Sequence, residues 1–317
     1  MIQFMTLTQL EYLIAIERYG SFSLAAEKCY VTQPTLSMQI QKLEEELDII
    51  IFRLDKQPIV PTEIGRKIIE QAKIILKEKE KLQIILQIEK GEFIGSLKVA
   101  IIPTISSYLL PMFISNFIKK YPDVKLIIDE VTTDEVITGL EKSYFDIGII
   151  ALRSKTENLI SETLYYEPFI AFLPPDHKLM KKKKLCQDDL SVNDFLILKE
   201  GHCLREQTLT VCKSTEKEWI EKSNKIVFES GNLETLIKLV DQKFGMTLLP
   251  YLALNYIKEK KKLNQIKEFS TPVPKREVGI VYNKTFIKKH LLNALKEEVL
   301  RVIPDRLKRD KSGLIVH

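Results

Sequence analysis

Apolar positions at helical spacing dominate the first fifty residues of the chain. The run Thr6-Leu7-Thr8-Gln9 has the pattern of a capping box that opens a helix, and Gly20 is placed to end it. A second short helix is expected to start at Ser21 or Ser23. The pattern therefore predicts two short helices ahead of a third, longer one.

The third helix carries an apolar stripe and a polar face. Pro34 falls in its first turn, where a missing amide hydrogen costs little. The stripe consists of Leu36, Ile40, Leu43 and Leu47. The opposite face carries short amide and hydroxyl side chains and one lysine, at Gln33, Thr35, Ser37, Gln39 and Lys42. Such side chains suit base edges and phosphates, although an ordinary amphipathic helix with a polar exterior shows the same pattern.

A long uninterrupted helix is predicted from Glu63 to about Ile88. Its apolar positions lie near one face, and a helix of this length measures about 39 Å. Because isolated helices are marginally stable, packing must stabilise it. We expect a coiled-coil partner in a homodimer; the alternative is a helix that lies on its own C-terminal domain. Gly91 and Gly95 mark the boundary that follows.

Strand-like and helix-like segments alternate after residue 91. The predicted strands are Leu97 to Ile102, Val124 to Ile128, Phe145 to Leu152, Phe169 to Leu173, Phe195 to Leu198, Ile226 to Phe228, Met246 to Leu249 and Val278 to Tyr282. Predicted helices include Leu109 to Lys120, Asn232 to Asp241 and Phe286 to Val302. This alternation is typical of an α/β architecture, and its length suits two subdomains around a cleft.

Composition and charge limit the possible classes. The chain has 317 residues, 45% of them hydrophobic, and lacks both a membrane-length apolar run and a secretory signal pattern, so we expect a cytoplasmic protein without membrane contact. The net charge is +5, but residues 1–65 carry five Lys/Arg against nine Asp/Glu. Total charge therefore does not identify a nucleic-acid binder.

Two of the four cysteines form a distinctive pair. Cys203 lies between His202 and Arg205, two side chains that can stabilise a thiolate, and Cys212 follows nine positions later. An intact helix would hold the two thiols about 13 Å apart on opposite faces, whereas a disulfide needs Cα atoms within about 7 Å. Should the two ever join, the backbone between them must refold.

The other cysteines suggest no chemistry. Cys29 and Cys186 are expected to be small buried hydrophobic residues. With no Cys-x-x-Cys pair and four histidines, neither a metal site nor a cofactor is expected.

Residues 5–65 resemble the winged helix-turn-helix of LysR-type transcriptional regulators. The residues that carry the resemblance are Ala25-Ala26, Val31 to Ser37, Ile40 to Glu44, Phe52, Thr62 and Gly65. The resemblance implies that the third helix enters the major groove and that a wing over residues 53–61 contacts the backbone or minor groove. The implied DNA contacts are Gln33, Pro34, Thr35, Ser37, Gln39, Lys42, Arg53 and Lys56.

The wing departs from the family pattern. Leu54, Gln57 and Pro58 stand where basic residues are common, and Arg53 and Lys56 would have to substitute for them. The acidic run Glu44-Glu45-Glu46 would repel phosphate if it faced DNA. A single copy should therefore bind weakly, since affinity rises with the number of phosphates neutralised.

The remainder resembles the family's periplasmic-binding-protein-like effector domain. The implied organisation is a DNA-binding domain at 1–62, a dimerisation helix at 63–90 and a regulatory domain of two α/β subdomains at 91–317. The stretch from Gly201 to Gln207 with Cys212, supported by Ile102-Pro103-Thr104 and Thr247 to Pro250, resembles the OxyR-like, peroxide-sensing branch.

That resemblance implies a mechanism. Cys203 would react with hydrogen peroxide and Cys212 would resolve the product as a disulfide, with Thr104, Thr133, His202 and Arg205 around the peroxide. The two threonines follow strands and precede helices, so simple helix capping is the alternative for each.

The same resemblance implies the partners: promoter DNA, other copies of the chain in a dimer and a tetramer, RNA polymerase, and a reductant of the glutaredoxin or thioredoxin type. Three other functions fit parts of the pattern. They are a regulator that senses a metabolite while its cysteines stay passive, a thiol peroxidase, and a secreted solute-binding protein. The DNA-binding pattern argues against the last two, so we expect no enzyme.

Overall fold

The structure is a computed structural model that describes residues 5–55, 57–153, 159–222, 228–257 and 259–316. The chain divides into two compact units that meet in sequence between Glu92 and Phe93. Lys56, a predicted DNA contact, and residues 226 and 227 of a predicted strand lie outside the described residues.

The first unit is helical apart from one small hairpin. Its elements are α1 (Leu7–Tyr19), α2 (Phe22–Lys28), α3 (Gln33–Leu47), β1 (Phe52–Arg53), β2 (Val60–Pro61) and α4 (Glu63–Glu89). The Thr6 hydroxyl accepts from the amide of Gln9, whose side chain accepts in return from the Thr6 amide, so the predicted capping box is present. Gly20 ends α1 in the left-handed conformation, and Ser21 caps α2.

Three helices and the base of α4 form the core of this unit. The stripe of α3 is buried at Leu36, Ile40 and Leu43, but Leu47 at its last turn is exposed, so the predicted stripe was one residue too long. Strands β1 and β2 pair antiparallel, with Phe52 opposite Pro61 and Arg53 opposite Val60. This hairpin is the predicted wing.

The second unit is α/β. Its strands are β3 (Gly95–Ile101), β4 (Val124–Glu130), β5 (Ile147–Ala151), β6 (Leu159–Phe172), β7 (Ile197–Leu198), β8 (Glu229–Ser230), β9 (Thr247–Pro250), β10 (Ile266–Glu268), β11 (Pro274–Asn283) and β12 (Leu314–Ile315). Its helices are α5 (Pro103–Lys120), α6 (Thr133–Glu141), α7 (Cys203–Val211), α8 (Glu216–Lys222), α9 (Leu233–Asp241), α10 (Lys260–Leu263), α11 (Lys289–Val302) and α12 (Asp305–Arg309). Short 3₁₀ turns occupy Lys178–Lys181, Gln187–Asp189, Val192–Asp194 and Tyr251–Asn255.

One long strand joins the two subdomains. The sheet order is β10-β6-β11-β5-β3-β4, with β3 parallel to β4 and β5 and with β11 antiparallel to its neighbours β5 and β6. The second half of β6 pairs with β9 on one side and β10 on the other, while β7 runs parallel to β8. The predicted two-subdomain α/β fold of the periplasmic-binding-protein type is confirmed.

Several predicted boundaries were wrong for identifiable reasons. The strand expected at Phe169 to Leu173 begins ten residues earlier, at Leu159. The apolar pattern missed its first half because that half carries charged residues and is ordered by pairing with β11. Helix α5 begins at Pro103 rather than Leu109, since a proline is tolerated in the first turn. Helix α11 begins at Lys289, three residues after the predicted start. Within the described residues, no helix is both long and apolar enough to cross a membrane.

Candidate functional site

A strand–turn–helix connection places Cys203. Strand β7 leads into Gly201, whose φ of +89° is a left-handed conformation that glycine adopts without strain. His202 then takes the N-cap position, and Cys203 is the first residue of α7. The thiol therefore lies at the amino end of a nine-residue helix, where unpaired amides and the helix dipole favour a negative charge.

Two polar side chains from other elements meet the Cys203 thiol, which is only 4% exposed. The Thr133 hydroxyl lies 2.6 Å from Sγ, and Nη2 of Arg153 lies 3.6 Å from it. Thr133 opens α6, and Arg153 follows the carboxyl end of β5. Cys203 is thus buried but in contact with a hydrogen-bonding group and a cation, a setting that suits a thiolate.

Thr133 is free for this contact because its neighbour does the capping. The side chain of Thr132 accepts the Glu135 amide, and Glu135 in turn accepts from the Thr132 amide. Thr133 is buried, with its hydroxyl on Cys203. Helix capping, the alternative for this threonine, is therefore excluded.

Thr104 belongs to a buried ion-pair network. Nη1 of Arg276 donates to the Thr104 hydroxyl at 3.0 Å, and Nη2 donates to the Thr104 carbonyl at 2.9 Å. The same guanidinium donates to the Glu167 carboxylate at 2.8 and 2.9 Å, with both side chains 1% exposed. Thr104 does not cap α5, whose N-cap is Ile102. The hydroxyl therefore accepts from Arg276 and keeps its own hydrogen to donate, and no hydrogen bond joins it to Cys203 in the described part of the chain.

His202 is a neutral group at the site. Burial, assisted by the nearby Lys199 charge and opposed by Glu130, lowers the pKa of His202 below its usual 6.5. At neutral pH the imidazole is therefore uncharged and does not supply the cation that its sequence position suggested.

Arg205 is placed differently from the sequence prediction. Its guanidinium donates to the Leu198 carbonyl at 2.8 Å, forms an ion pair with Glu216 and lies 5.1 Å from the ring centre of Trp219. Side chains two positions apart on a helix point in directions that differ by about 200°. Arg205 therefore faces away from Cys203 on α7. Its contacts instead hold α7 against β7 and α8, and the cation at the thiol comes from Arg153.

Cys212 lies at the other end of the intact helix. It is the C-cap residue of α7, and its amide donates to the Thr208 carbonyl. Both cysteines are free thiols, and the helix between them imposes a separation of about 13 Å on opposite faces. Desolvation raises the pKa of the Cys212 thiol to about 12. In this form the two sulfurs cannot join.

Other segments hold α7 in its helical form. Nε2 of Gln207 donates to the carbonyl of Val316 in the C-terminal strand region at 3.3 Å, with both residues buried. Nε2 of Gln187 donates to the Val211 carbonyl at 3.2 Å. Any refolding of residues 203–212 must break these contacts.

The remaining cysteines correct one expectation. Cys186 is exposed and Cys29 is only partly buried, so neither is the buried hydrophobic residue that was expected. In the residues that the structure describes, no cluster of His, Cys, Asp and Glu could hold a metal ion.

A second candidate surface lies on the first unit. The predicted polar face of α3 is exposed at Gln33, Pro34, Thr35 and Lys42 and partly exposed at Ser37 and Gln39. Arg53, Leu54 and Gln57 are exposed on the wing. These side chains are presented to solvent together with Met38, which is 60% exposed.

Glu44 is not available to repel phosphate. Its carboxylate accepts the amides of Ile51 at 2.6 Å and Phe52 at 3.2 Å, which are the residues that open the wing. Glu45 accepts from Gln41, and Glu46 lies 3.9 Å from Lys42. Glu44 therefore supports the wing, whereas Glu45 and Glu46 are exposed, and for them repulsion of phosphate stays a prediction.

Sequence reasoning missed Arg153, Arg276 and Glu167. Arg153 had one usable signal, since it follows a fully apolar strand at the edge where ligands bind in such folds. The other two pair across β11 and β6 and show no local pattern, although a charge within an apolar strand is itself unusual.

Comparison with known proteins gives a consistent result. Residues 7–66 match the bacterial regulatory helix-turn-helix of the lysR family, and residues 90–303 match the LysR substrate binding domain. A hydrogen peroxide-inducible genes activator from Haemophilus influenzae is 32% identical over 310 residues, which cover 98% of this chain and 100% of that protein. The dual regulator OxyR of Escherichia coli is 31% identical, covering 88% of this chain and 89% of that protein.

Solved structures agree. A full-length OxyR variant from Pseudomonas aeruginosa has a TM-score of 0.74 at 30% identity, covering 95% of this chain and 99% of that one. A hydrogen-peroxide-bound OxyR variant from Corynebacterium glutamicum has a TM-score of 0.61 at 27% identity, covering 94% and 92%. With a family domain over more than half of its length and these relatives, the chain belongs to the LysR family of bacterial transcriptional regulators and resembles its OxyR members.

Proposed function

We propose that this protein regulates transcription in response to hydrogen peroxide, through oxidation of Cys203 and a disulfide between Cys203 and Cys212. The observation that carries the proposal is the position of Cys203, which lies at a helix amino end against Thr133 and Arg153. The second cysteine lies at the far end of the same helix.

The first step is a two-electron oxidation. The Cys203 thiolate attacks one oxygen of hydrogen peroxide, so an S–O bond forms and the O–O bond breaks. The bonding electron pair goes to the second oxygen, which leaves as hydroxide and takes a proton to become water. In this proposal Thr133, whose hydroxyl lies 2.6 Å from the sulfur, hydrogen-bonds the peroxide. Thr104 follows β3, the parallel neighbour of β4, and has a hydrogen free to donate.

The second step requires the helix to open. Cys212 gives up its thiol proton and attacks the sulfenic sulfur of Cys203; the S–S bond forms, the S–O bond breaks, and the released hydroxide is protonated to water. Because α7 holds the sulfurs on opposite faces, residues 203–212 must refold before this step. The refolding favours a second arrangement of the regulatory domain.

The other predicted roles complete the proposal. The helix-turn-helix at 1–62 binds promoter DNA through α3 and the wing, the helix at 63–90 dimerises the chain, and residues 91–317 carry the switch. A tetramer arranges four DNA-binding domains, RNA polymerase responds to the change, and a thiol reductant of the glutaredoxin or thioredoxin type resets it.

The test is a peptide map of the full-length protein. We expect a Cys203–Cys212 linked peptide after one equivalent of peroxide and quenching with N-ethylmaleimide, and its disappearance after dithiothreitol. Cys203→Ser should prevent the link and abolish peroxide-dependent transcription while keeping DNA binding. Cys212→Ser should stop at a sulfenic acid that dimedone traps.

Cys186→Ser is the matched control, because Cys186 is exposed and should leave the map unchanged. An unlinked Cys203 after peroxide, together with a normal transcriptional response in the Cys203→Ser variant, would reject the redox proposal. That result would leave a regulator with a different trigger.

A further inference from the structure

Arg153 occupies a position that the proposed chemistry does not yet use. Its Nη2 lies 3.6 Å from Sγ of Cys203, and its Nη1 lies 3.4 Å from the Asp134 carboxylate. The side chain is 39% exposed and reaches the thiol from the end of β5, whereas Cys203 itself is 4% exposed. Arg153 thus stands between the buried sulfur and solvent.

Three other groups that could supply a cation at the thiol are paired elsewhere or neutral. Arg205 pairs with Glu216, Arg276 pairs with Glu167, and burial lowers the pKa of His202 so that its ring is neutral. Arg153 shares its charge with Asp134, but that carboxylate is 76% exposed and therefore well hydrated. An exposed ion pair of this kind is weak, which leaves the guanidinium available to a sulfur anion.

We propose that Arg153 is the residue that activates Cys203, by holding the thiolate with one nitrogen while Asp134 competes for the other. This inference rests on the proposed peroxide reaction. As the thiolate attacks, negative charge moves from sulfur to the departing oxygen, and the guanidinium has further N–H groups to donate to it. The competing ion pair with Asp134 weakens the interaction between the Arg153 guanidinium and the sulfur.

Three variants separate the contributions in full-length protein that lacks the other three cysteines. Arg153→Met removes the charge with a similar side-chain length, and we expect a sulfenic acid formation rate about tenfold lower, since one charge-assisted contact is lost. Arg153→Lys keeps the charge but not the planar guanidinium, and its rate of sulfenic acid formation should lie between those of the parent and Arg153→Met. Asp134→Asn frees the guanidinium and should match or exceed the parent rate.

Salt dependence distinguishes an electrostatic role from a structural one. Hydrogen peroxide is neutral, so ionic strength does not steer its approach, and a rate that falls with salt reports the ion pair itself. With Asp134→Asn in both proteins, so that salt has no competing exposed ion pair to screen, we expect the rate to fall on the order of twofold between 0.05 and 0.5 M NaCl and the rate of the Arg153→Met protein to stay flat. A merely structural Arg153 would change the rate equally at every salt concentration.

A measurement without peroxide keeps this inference separate from the proposed function. Thiolate absorbance at 240 nm, recorded at neutral pH, should be lower in Arg153→Met than in the parent. Identical absorbance and rates in the two proteins would overturn the role of Arg153 while leaving peroxide sensing in place. A lower absorbance in Arg153→Met, in a protein whose Cys203 does not react with peroxide, would uphold the contact and reject the sensing function.

Discussion

At the scale of single residues, the two cysteines of the pair differ in environment. Cys203 meets Thr133 and Arg153, whereas Cys212 lies at the carboxyl end of α7, where desolvation is what raises the pKa of its thiol to about 12. Cys212 is therefore protonated in the folded, reduced protein at neutral pH. In the proposed mechanism Cys212 therefore acts after Cys203, once the helix has opened and its thiol is no longer desolvated.

The raised pKa of Cys212 gives a pH prediction. The ordinary value for this thiol is 9.0, so the protonated form in folded α7 contributes stability that is present below pH 9 and lost as pH rises towards 12. At pH 8 we expect methyl methanethiolsulfonate to label Cys212 about a thousandfold more slowly in the folded protein than in urea, because only the thiolate reacts. Exposed Cys186 is the internal control. Equal labelling of Cys212 in both conditions would contradict its protected state.

At the scale of elements, α7 is the part that the proposed disulfide requires to refold. Its helical form is held by Arg205 near its start, Gln207 in the middle and the Gln187 contact at its end. The reduction potential of the disulfide is therefore expected to depend on the stability of this helix, even at positions that contact neither sulfur.

Thr210 offers a clean test of that dependence. It is exposed on α7, and its hydroxyl donates to the Glu206 carbonyl one turn earlier. Glycine and alanine at this position differ in helix stability by about 1 kcal/mol, which corresponds to about 20 mV for a two-electron couple. We expect Thr210→Gly to have the more negative potential, measured against glutathione buffers, because it weakens the reduced form.

Thr210→Ala is the matched variant, and its disulfide should have a less negative reduction potential than that of Thr210→Gly. Equal potentials would mean that α7 stays helical in the oxidised protein. Helix content could then not be what separates the two states.

At the scale of the whole molecule, the exposed apolar side of α4 indicates a partner helix. Ile74, Leu82, Ile85 and Leu86 are each more than half exposed, although Ile69 and Ala72 on the same helix are buried in the first unit. These exposed positions recur at helical spacing on one side. A second copy of α4 would remove them from water, which agrees with the proposed dimer.

Leu82→Glu should therefore weaken self-association. We expect a shift towards monomer in sedimentation velocity and at least tenfold weaker operator binding, because a single domain neutralises few phosphates. Gln83→Glu is the control, since it adds the same charge at the neighbouring exposed position. If Leu82→Glu leaves the dimer unchanged, the exposed apolar side of α4 is not the surface through which the chain self-associates.

Much of the fold followed from local patterns in the sequence. The capping box at Thr6, the proline in the first turn of α3 and the uninterrupted run of α4 each specify a helix by interactions within a few residues. The apolar strands and their alternation with helices specified the α/β class. The length of β6 was missed because its first half alternates polar and apolar residues and is ordered by pairing with β11.

The sequence by itself determined that the sulfurs of Cys203 and Cys212 lie apart, since helix geometry alone separates two positions nine residues apart. Only the tertiary structure decided which groups surround Cys203. Thr133 and Arg153 reach it from 70 and 50 residues away, while Arg205, two residues along the chain, faces another direction. The physical reason is that hydrogen bonding within a helix fixes the direction of each side chain locally. The groups that contact a buried sulfur are instead set by the packing of strands and helices that are distant in sequence.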